Sequence, residues 1–310
     1  MQFKEVMIEM SHNCNISCQM CGFGFRYNPV KREKFMEANS YRKYVDMFAE
    51  KTERLRLNGR GESTIHPNFK ELLEWTHGKY PSLQLSLFTN ASFNNPTLVD
   101  ALIACNVLAF VSFDSTKKEL FEKIRFGCRY ESVIANIDGL KTLPIRPFII
   151  ATLQLDNIGE IEELGRFAFE KNCSIIYNSV RSDNENTIVG YHNYVTNNVD
   201  AIVESFNTVS ELYEDSDLQC LIPDQIGGIA INSKNNTMTH GSMRHCPALE
   251  NELCILYDGT VTPCNMFNPY KYGNLSEDTL DNILTGVKYT NFKKLYKEHY
   301  YCKNCANLGI

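Results

Sequence analysis

The sequence has no long apolar run. Nothing in its 310 residues approaches the ~18 consecutive apolar residues of a membrane span, so a membrane protein is not expected. An export signal is missing too, because the opening MQFKEVMIEM places Lys4, Glu5 and Glu9 where a signal peptide needs an apolar core. A cytoplasmic location follows as the expectation. Positive charge is not in excess: 31 Lys and Arg against 37 Asp and Glu leave a formal charge of −6 and a pI near 5.7. With the basic residues scattered rather than blocked, nucleic acid is not an expected partner. Repeats and low-complexity tracts are absent, and Trp75 is the single tryptophan. What the chain does have is enough apolar residues, 43%, to bury a full core in one large domain or a large one plus a small one. It also has twelve cysteines. Without export, these point to thiolate ligands or buried thiols rather than a disulfide framework.

Up to about residue 180, apolar runs alternate with amphipathic stretches. Strand patterns fall at Phe3 to Met10, Arg54 to Asn58, Leu83 to Phe88, Ala109 to Phe113, Phe148 to Leu153 and Ser174 to Tyr177. Between them, Tyr41, Tyr44, Val45, Phe48 and Ala49 form one helical face behind Ser40 as a cap. Asn95-Pro96 starts another helix, and Asn157 with Glu160 reads as a capping box for a third. Six such alternations imply parallel strands joined by right-handed crossovers. Six units are too few for a complete eight-stranded barrel, so the expected fold is α/β, an open (βα)6 partial barrel resembling a TIM barrel. The rhythm stops near Cys246. Domain boundaries are therefore expected at 1–180, 181–240 as a connecting region, and 241–310 as a small C-terminal unit built on a β-hairpin and a helix.

The most specific motif is the C-x3-C-x2-C triplet Cys14, Cys18 and Cys21, in a loop directly after the first strand. Three thiolates from one loop can hold three corners of a cubic [4Fe–4S] cluster and leave the fourth iron open. Zinc is the alternative, with His12 as fourth ligand, although zinc sites more often pair two C-x2-C units. The triplet resembles the signature of the radical S-adenosylmethionine (radical SAM) superfamily. Met20 stands where that family usually has an aromatic residue, and is still apolar enough to lie against an adenine ring. In barrel-like α/β folds the site gathers at the carboxyl ends of the strands. There, Gly59-Arg60-Gly61-Glu62-Ser63 resembles the family's GGEP-type motif, with Ser63 in place of proline. The resemblance implies that Gly61 gives close backbone approach and that Glu62 receives the SAM amino group. Thr89-Asn90 resembles the T-N element, with Asn90 at the methionyl group. Val111-Ser112-Phe113-Asp114, followed by Lys123-Ile124-Arg125-Phe126-Gly127, resembles the strand-four pattern that sets Ser112 and Asp114 near SAM and substrate. Gln154, ending strand five, is a candidate for ribose or carboxylate contact. Taken singly, each of these polar strand ends reads equally as structural capping.

A second cysteine set lies at the C-terminus. Cys246, twelve residues, Gly259, four residues and Cys264 are followed by Cys302-Lys303-Asn304-Cys305, resembling the C-x9–15-G-x4-C element of SPASM and twitch domains. Apolar runs flank Asp258-Gly259, a two-residue hairpin signal. Only five residues follow Cys305, so the shorter twitch form is expected, with Cys246, Cys264, Cys302 and Cys305 closing one auxiliary [4Fe–4S] cluster. A zinc ribbon on the same four cysteines is the alternative. Cys254 on the hairpin, and the isolated Cys105, Cys128 and Cys173, read as packed thiols. Cys220 is in addition a candidate hydrogen-atom donor, and Arg181, just beyond strand six, a candidate substrate contact.

The resemblance implies reductive cleavage of SAM to a 5′-deoxyadenosyl radical that takes a hydrogen atom from a C–H bond, with an electron donor such as flavodoxin or ferredoxin. The expected reaction is oxidation of a hydroxyl carbon in a sugar, aminocyclitol or similar small molecule. The alternative is modification of a peptide by epimerisation, crosslinking or oxidation. Strand one begins at residue 3, leaving no room for an N-terminal peptide-recognition domain, which favours the small molecule.

Overall fold

The computed structural model describes residues 2–21, 34–180, 185–223, 225–227, 229–231, 246, 249, 251–265, 270–299 and 302. Its strands are β1 (Phe3–Ile8), β2 (Ser17–Cys18), β3 (Thr52–Arg56), β4 (Gln84–Thr89), β5 (Leu108–Ser112), β6 (Arg125–Phe126), β7 (Phe148–Leu153) and β8 (Ser174–Ser179). They continue with β9 (Cys220–Leu221), β10 (Gln225–Ile226), β11 (Ile229–Ala230), β12 (Glu252–Ile255), β13 (Thr260–Thr262) and β14 (Gly273–Asn274). The helices up to the last third are α1 (Ala38–Phe48), α2 (Phe69–Lys79), α3 (Pro96–Ala104), α4 (Lys118–Ile124), α5 (Tyr130–Leu140), α6 (Ile161–Glu170), α7 (Glu185–Asn197) and α8 (Val199–Tyr213).

One ten-stranded sheet runs β14-β13-β12-β1-β3-β4-β5-β7-β8-β9. The six strands expected from the sequence are β1, β3, β4, β5, β7 and β8; they lie side by side, each parallel to the next, and the sheet stays open. Two extensions are added to it. β9 joins β8 in parallel, and β12 pairs in parallel with β1 through Glu5↔Glu252 to Ile8↔Ile255. The hairpin at Asp258-Gly259 forms as expected between β12 and β13. Gly259 has φ +84° there, and Asp258 Oδ1 accepts the Thr260 N–H at 3.0 Å.

Alternation along the strands sorts side chains between two faces. Val6, Ile8, Leu55, Leu57, Leu85, Leu87, Val111, Ile149, Leu153, Ile175 and Tyr177 enter the main core under the helices. The opposite face carries Met7, Arg56, Phe88, Phe110, Phe148 and Ile150, with Phe88, Phe110 and Phe148 stacked in succession at 4.3 and 5.1 Å. At its lower end Glu5 pairs with Arg54 at 2.7 Å and with Arg56. No helix of the described residues is long and apolar enough to cross a membrane.

Two of the expected helix starts differ. α1 begins at Ala38 behind Glu37, so Ser40 lies inside it. Asn157 caps nothing; its side chain accepts from Gln154 N–H and donates to the Asp114 and Thr152 carbonyls, tying the ends of β5 and β7 together. Asn95 does cap α3, accepting from Thr97 N–H at 3.1 Å.

Candidate active site

The triplet loop leaves β1 and is pinned from three sides. β2 within it pairs antiparallel with β6, Cys18 opposite Arg125. Asn13 O accepts the Glu62 N–H at 2.8 Å. Asn90 Nδ2 donates to Asn15 Oδ1 at 2.9 Å and to Cys14 Sγ at 3.8 Å. Burial pushes the Cys14 thiol up to about 12 and the Cys18 thiol up to about 11. As free groups both stay protonated, so becoming thiolates requires metal cations to compensate.

The glycine turn packs on that loop. A Cβ at Gly61 would lie 2.4 Å from Asn13 O and 2.5 Å from Ser11 O, so the close approach this glycine permits is to the cysteine loop itself. Glu62, 3% exposed, accepts from Thr64 N, Thr64 Oγ1 and Thr89 Oγ1 on Oε1 and from Asn90 N on Oε2. Burial raises its pKa, those hydrogen bonds opposing. A buried carboxylate with donors on each oxygen and no cation among them fits the amino group of SAM. Gln154 is 7% exposed, and its Nε2 is buried without a partner, as is the amide of Asn13. Orphaned buried donors of this kind suit a ligand. Ser112 ends β5, half-buried, and Met20 sits half-buried in the turn before Cys21.

Two candidates have side chains engaged within the protein. Asp114 is fully buried; its Oδ1 accepts Thr152 N–H at 2.7 Å and its Oδ2 lies 2.7 Å from Arg125 Nε, so its carboxylate is engaged within the protein. Cys220 pairs in register with Ile175 near the amino end of β8, and Ile175 belongs to the helix-covered core. Its thiol therefore shares that face, toward Ser210, and burial pushes it up to about 12; it does not reach the carboxyl-end face. Arg181 and Cys305 lie outside the described residues.

Several residues were missed. Arg125, 6% exposed, donates from Nη1 to Cys18 Sγ at 3.6 Å; the Lys123-Ile124-Arg125-Phe126-Gly127 stretch contained it without a role. Glu9 accepts Arg60 N–H at 2.7 Å and Tyr257 N–H at 3.3 Å, and lies 3.2 Å from His12 Nδ1. The His12 ring stacks on Tyr257 at 5.5 Å. This carboxylate thus ties the triplet loop, the glycine turn and the C-terminal hairpin together. Its sequence signal was a charge ending an apolar strand.

In the C-terminal unit, Cys246, Cys264 and Cys302 all lie close enough to Tyr272 to raise its pKa, after burial and Tyr289. Cys246 N–H donates to Tyr296 OH at 3.4 Å, and Thr262 Oγ1 donates to Cys264 O at 3.1 Å.

The chain is 24% identical, over 98% of its length and 87% of the other's, to the tungsten-containing aldehyde ferredoxin oxidoreductase cofactor-modifying protein of Pyrococcus furiosus. Its fold is similar to that of Streptococcus suis SuiB bound to S-adenosylmethionine (TM-score 0.72, 16% identity, all of this chain and 72% of that one). It is also similar to anSMEcpe with bound AdoMet (TM-score 0.68, 17% identity, 97% and 87% of the chains) and to BtrN in complex with AdoMet and 2-DOIA (TM-score 0.52, 16% identity, 100% and 92%). Residues 246–306 match the iron-sulfur cluster-binding SPASM domain. Because residues 8–168, more than half of the chain, match the radical SAM superfamily, the protein belongs to that superfamily, with a SPASM domain at its C-terminal end.

Proposed function

We propose that this enzyme oxidises a hydroxyl carbon of a small molecule such as a sugar or aminocyclitol, with residues 1–180 as core, 181–240 as connection and 241–310 as the auxiliary unit. When bound, the open cluster and SAM supply a 5′-deoxyadenosyl radical able to take a hydrogen atom from a C–H bond. In this reading Cys14, Cys18 and Cys21 hold the first cluster, and Cys246, Cys264, Cys302 and Cys305 the second. Glu62 and Asn90 hold the methionyl end of SAM, with Met20, Ser112 and Gln154 as further contacts and Arg181 toward the substrate. The observation that carries the oxidation is the β12–β13 hairpin, fused in register to β1 and leading into Cys264, within the stretch that matches the cluster-binding SPASM domain. A second redox centre carried on the same sheet suits a reaction that must dispose of a second electron. Support also comes from Cys220, whose thiol faces the helices and so is poorly sited to return a hydrogen atom in an epimerisation.

The second reading is peptide modification, favoured by the similarity to SuiB bound to its precursor peptide SuiA, at TM-score 0.69. The likeness to a cofactor-modifying protein keeps larger small molecules in scope. A panel of sugars and aminocyclitols deuterated at the carbinol carbon tests the first reading. Oxidation transfers one deuterium to 5′-deoxyadenosine and gives a product two hydrogens lighter, with no solvent hydrogen gained at that carbon. A product of unchanged mass that acquires deuterium from heavy water would indicate epimerisation, and turnover confined to peptides would favour the second reading.

A further inference from the structure

A buried arginine stands against the first cluster's own ligand. Arg125 is register partner of Cys18 in the β2–β6 pair, and Gln19 N–H donates to Ile124 O at 2.8 Å, so backbone pairing fixes where the guanidinium starts. The side chain is 6% exposed. Its Nη1 reaches Cys18 Sγ at 3.6 Å and its Nε lies 2.7 Å from the fully buried Asp114 Oδ2. Asp114 is itself held by Thr152 N–H. Burying a guanidinium is costly unless it is paired, and pairing with Asp114 alone would not require the fork to extend to a sulfur.

We propose that Arg125, held in place by Asp114, raises the reduction potential of the open cluster through its hydrogen bond to Cys18. Reduction adds one electron to the cluster with no bond made or broken, the electron coming from a low-potential one-electron donor. The added negative charge is delocalised onto the thiolates. A fixed cation donating to one of them stabilises the reduced state more than the oxidised one, and hydrogen bonds to the sulfurs are among the known determinants of such potentials. Asp114 offsets part of the field, but only the guanidinium donates a hydrogen bond to the sulfur. The inference rests on membership of the superfamily and not on the choice of substrate.

The test is an EPR-monitored redox titration of the anaerobically reconstituted full chain, poised with dithionite and mediators, for wild type and Arg125→Met. The account predicts that the variant is at least tenfold harder to reduce at equilibrium, a fall of about 59 mV for one electron. The auxiliary cluster in the same sample should stay at its wild-type potential. If Arg125→Met does not retain iron, Arg125→Gln carries the test, because it keeps a neutral donor and loses the charge, and a fall is again expected. A potential unchanged from wild type, in a variant with wild-type iron content, overturns the proposal, since a merely structural arginine would alter stability and not potential. Absence of any low-potential signal in the wild type would instead defeat the placement of the cluster on Cys14, Cys18 and Cys21.

Discussion

Gly61→Ala is the sharpest perturbation the structure offers. The new Cβ would lie 2.4 Å from Asn13 O and 2.5 Å from Ser11 O; both are backbone atoms, so no rotamer can relieve the contact. Restoring ordinary contact requires the triplet loop and the glycine turn to separate by about 1 Å, and overpacking of this kind costs about 1–3 kcal/mol. The displacement falls between Glu62 and Cys14, the groups argued to hold SAM and the cluster. A shift of about 1 Å in a reacting geometry costs on the order of a hundredfold in rate. The expected outcome is a melting temperature lower by several degrees and SAM cleavage, read as 5′-deoxyadenosine release, down by about two orders of magnitude. Gly78→Ala is the control. It lies in α2 with nothing within 4 Å of its Cβ position, and should hold or gain up to about 1 kcal/mol with unchanged turnover. Wild-type melting and cleavage in Gly61→Ala would refute the packing of turn on loop.

Other substitutions test separate parts of the site. Glu62→Gln removes the anion argued to meet the SAM ammonium, and a charge-assisted bond of about 1.5–3 kcal/mol predicts roughly 10–100-fold weaker SAM binding by calorimetry; equal affinity would remove Glu62 from the site. Cys220→Ala should form product at the wild-type rate with about 1 kcal/mol less stability, whereas SAM cleavage without product would restore it as a hydrogen donor. His66 is held below its ordinary pKa by burial, with its ring contacting Met36 O and accepting Asn68 N–H. The folded state therefore binds fewer protons than the unfolded chain, so stability present at neutral pH is lost as pH falls below about 6.5. Melting curves between pH 7.5 and 5.5 should show this decline, and His66→Gln should flatten it.

The sequence made the periodic and the covalently spaced features legible. Strand alternation placed β1, β3, β4, β5, β7 and β8, Asp258-Gly259 marked its hairpin, and cysteine spacing separated an open set from a second one. Features that depend on register or distant pairing were not legible. β12 finds β1 across most of the chain, and β2 and β6 are two residues each, too short for any periodic signal. Which face Cys220 takes follows only from its pairing with Ile175, and a one-residue slip would have reversed it. Asp114 was expected near SAM and substrate from the resemblance of its strand end; its ion pair with Arg125, eleven residues on and beyond a helix, had no signal in the sequence. Asn157 and Glu160 had capping-box spacing, yet tertiary demand took both side chains, Glu160 accepting from Ser115 Oγ at 2.8 Å.

The central claim is that Cys14, Cys18 and Cys21 hold an open cluster that cleaves SAM. It is tested most directly by assaying anaerobically reconstituted wild type and the triple Cys→Ala variant for iron and for 5′-deoxyadenosine formed from SAM under dithionite. The account predicts about eight irons per chain and SAM cleavage in the wild type, with about four irons and no cleavage in the variant. Zinc in place of iron, or cleavage that survives loss of the three cysteines, would contradict it.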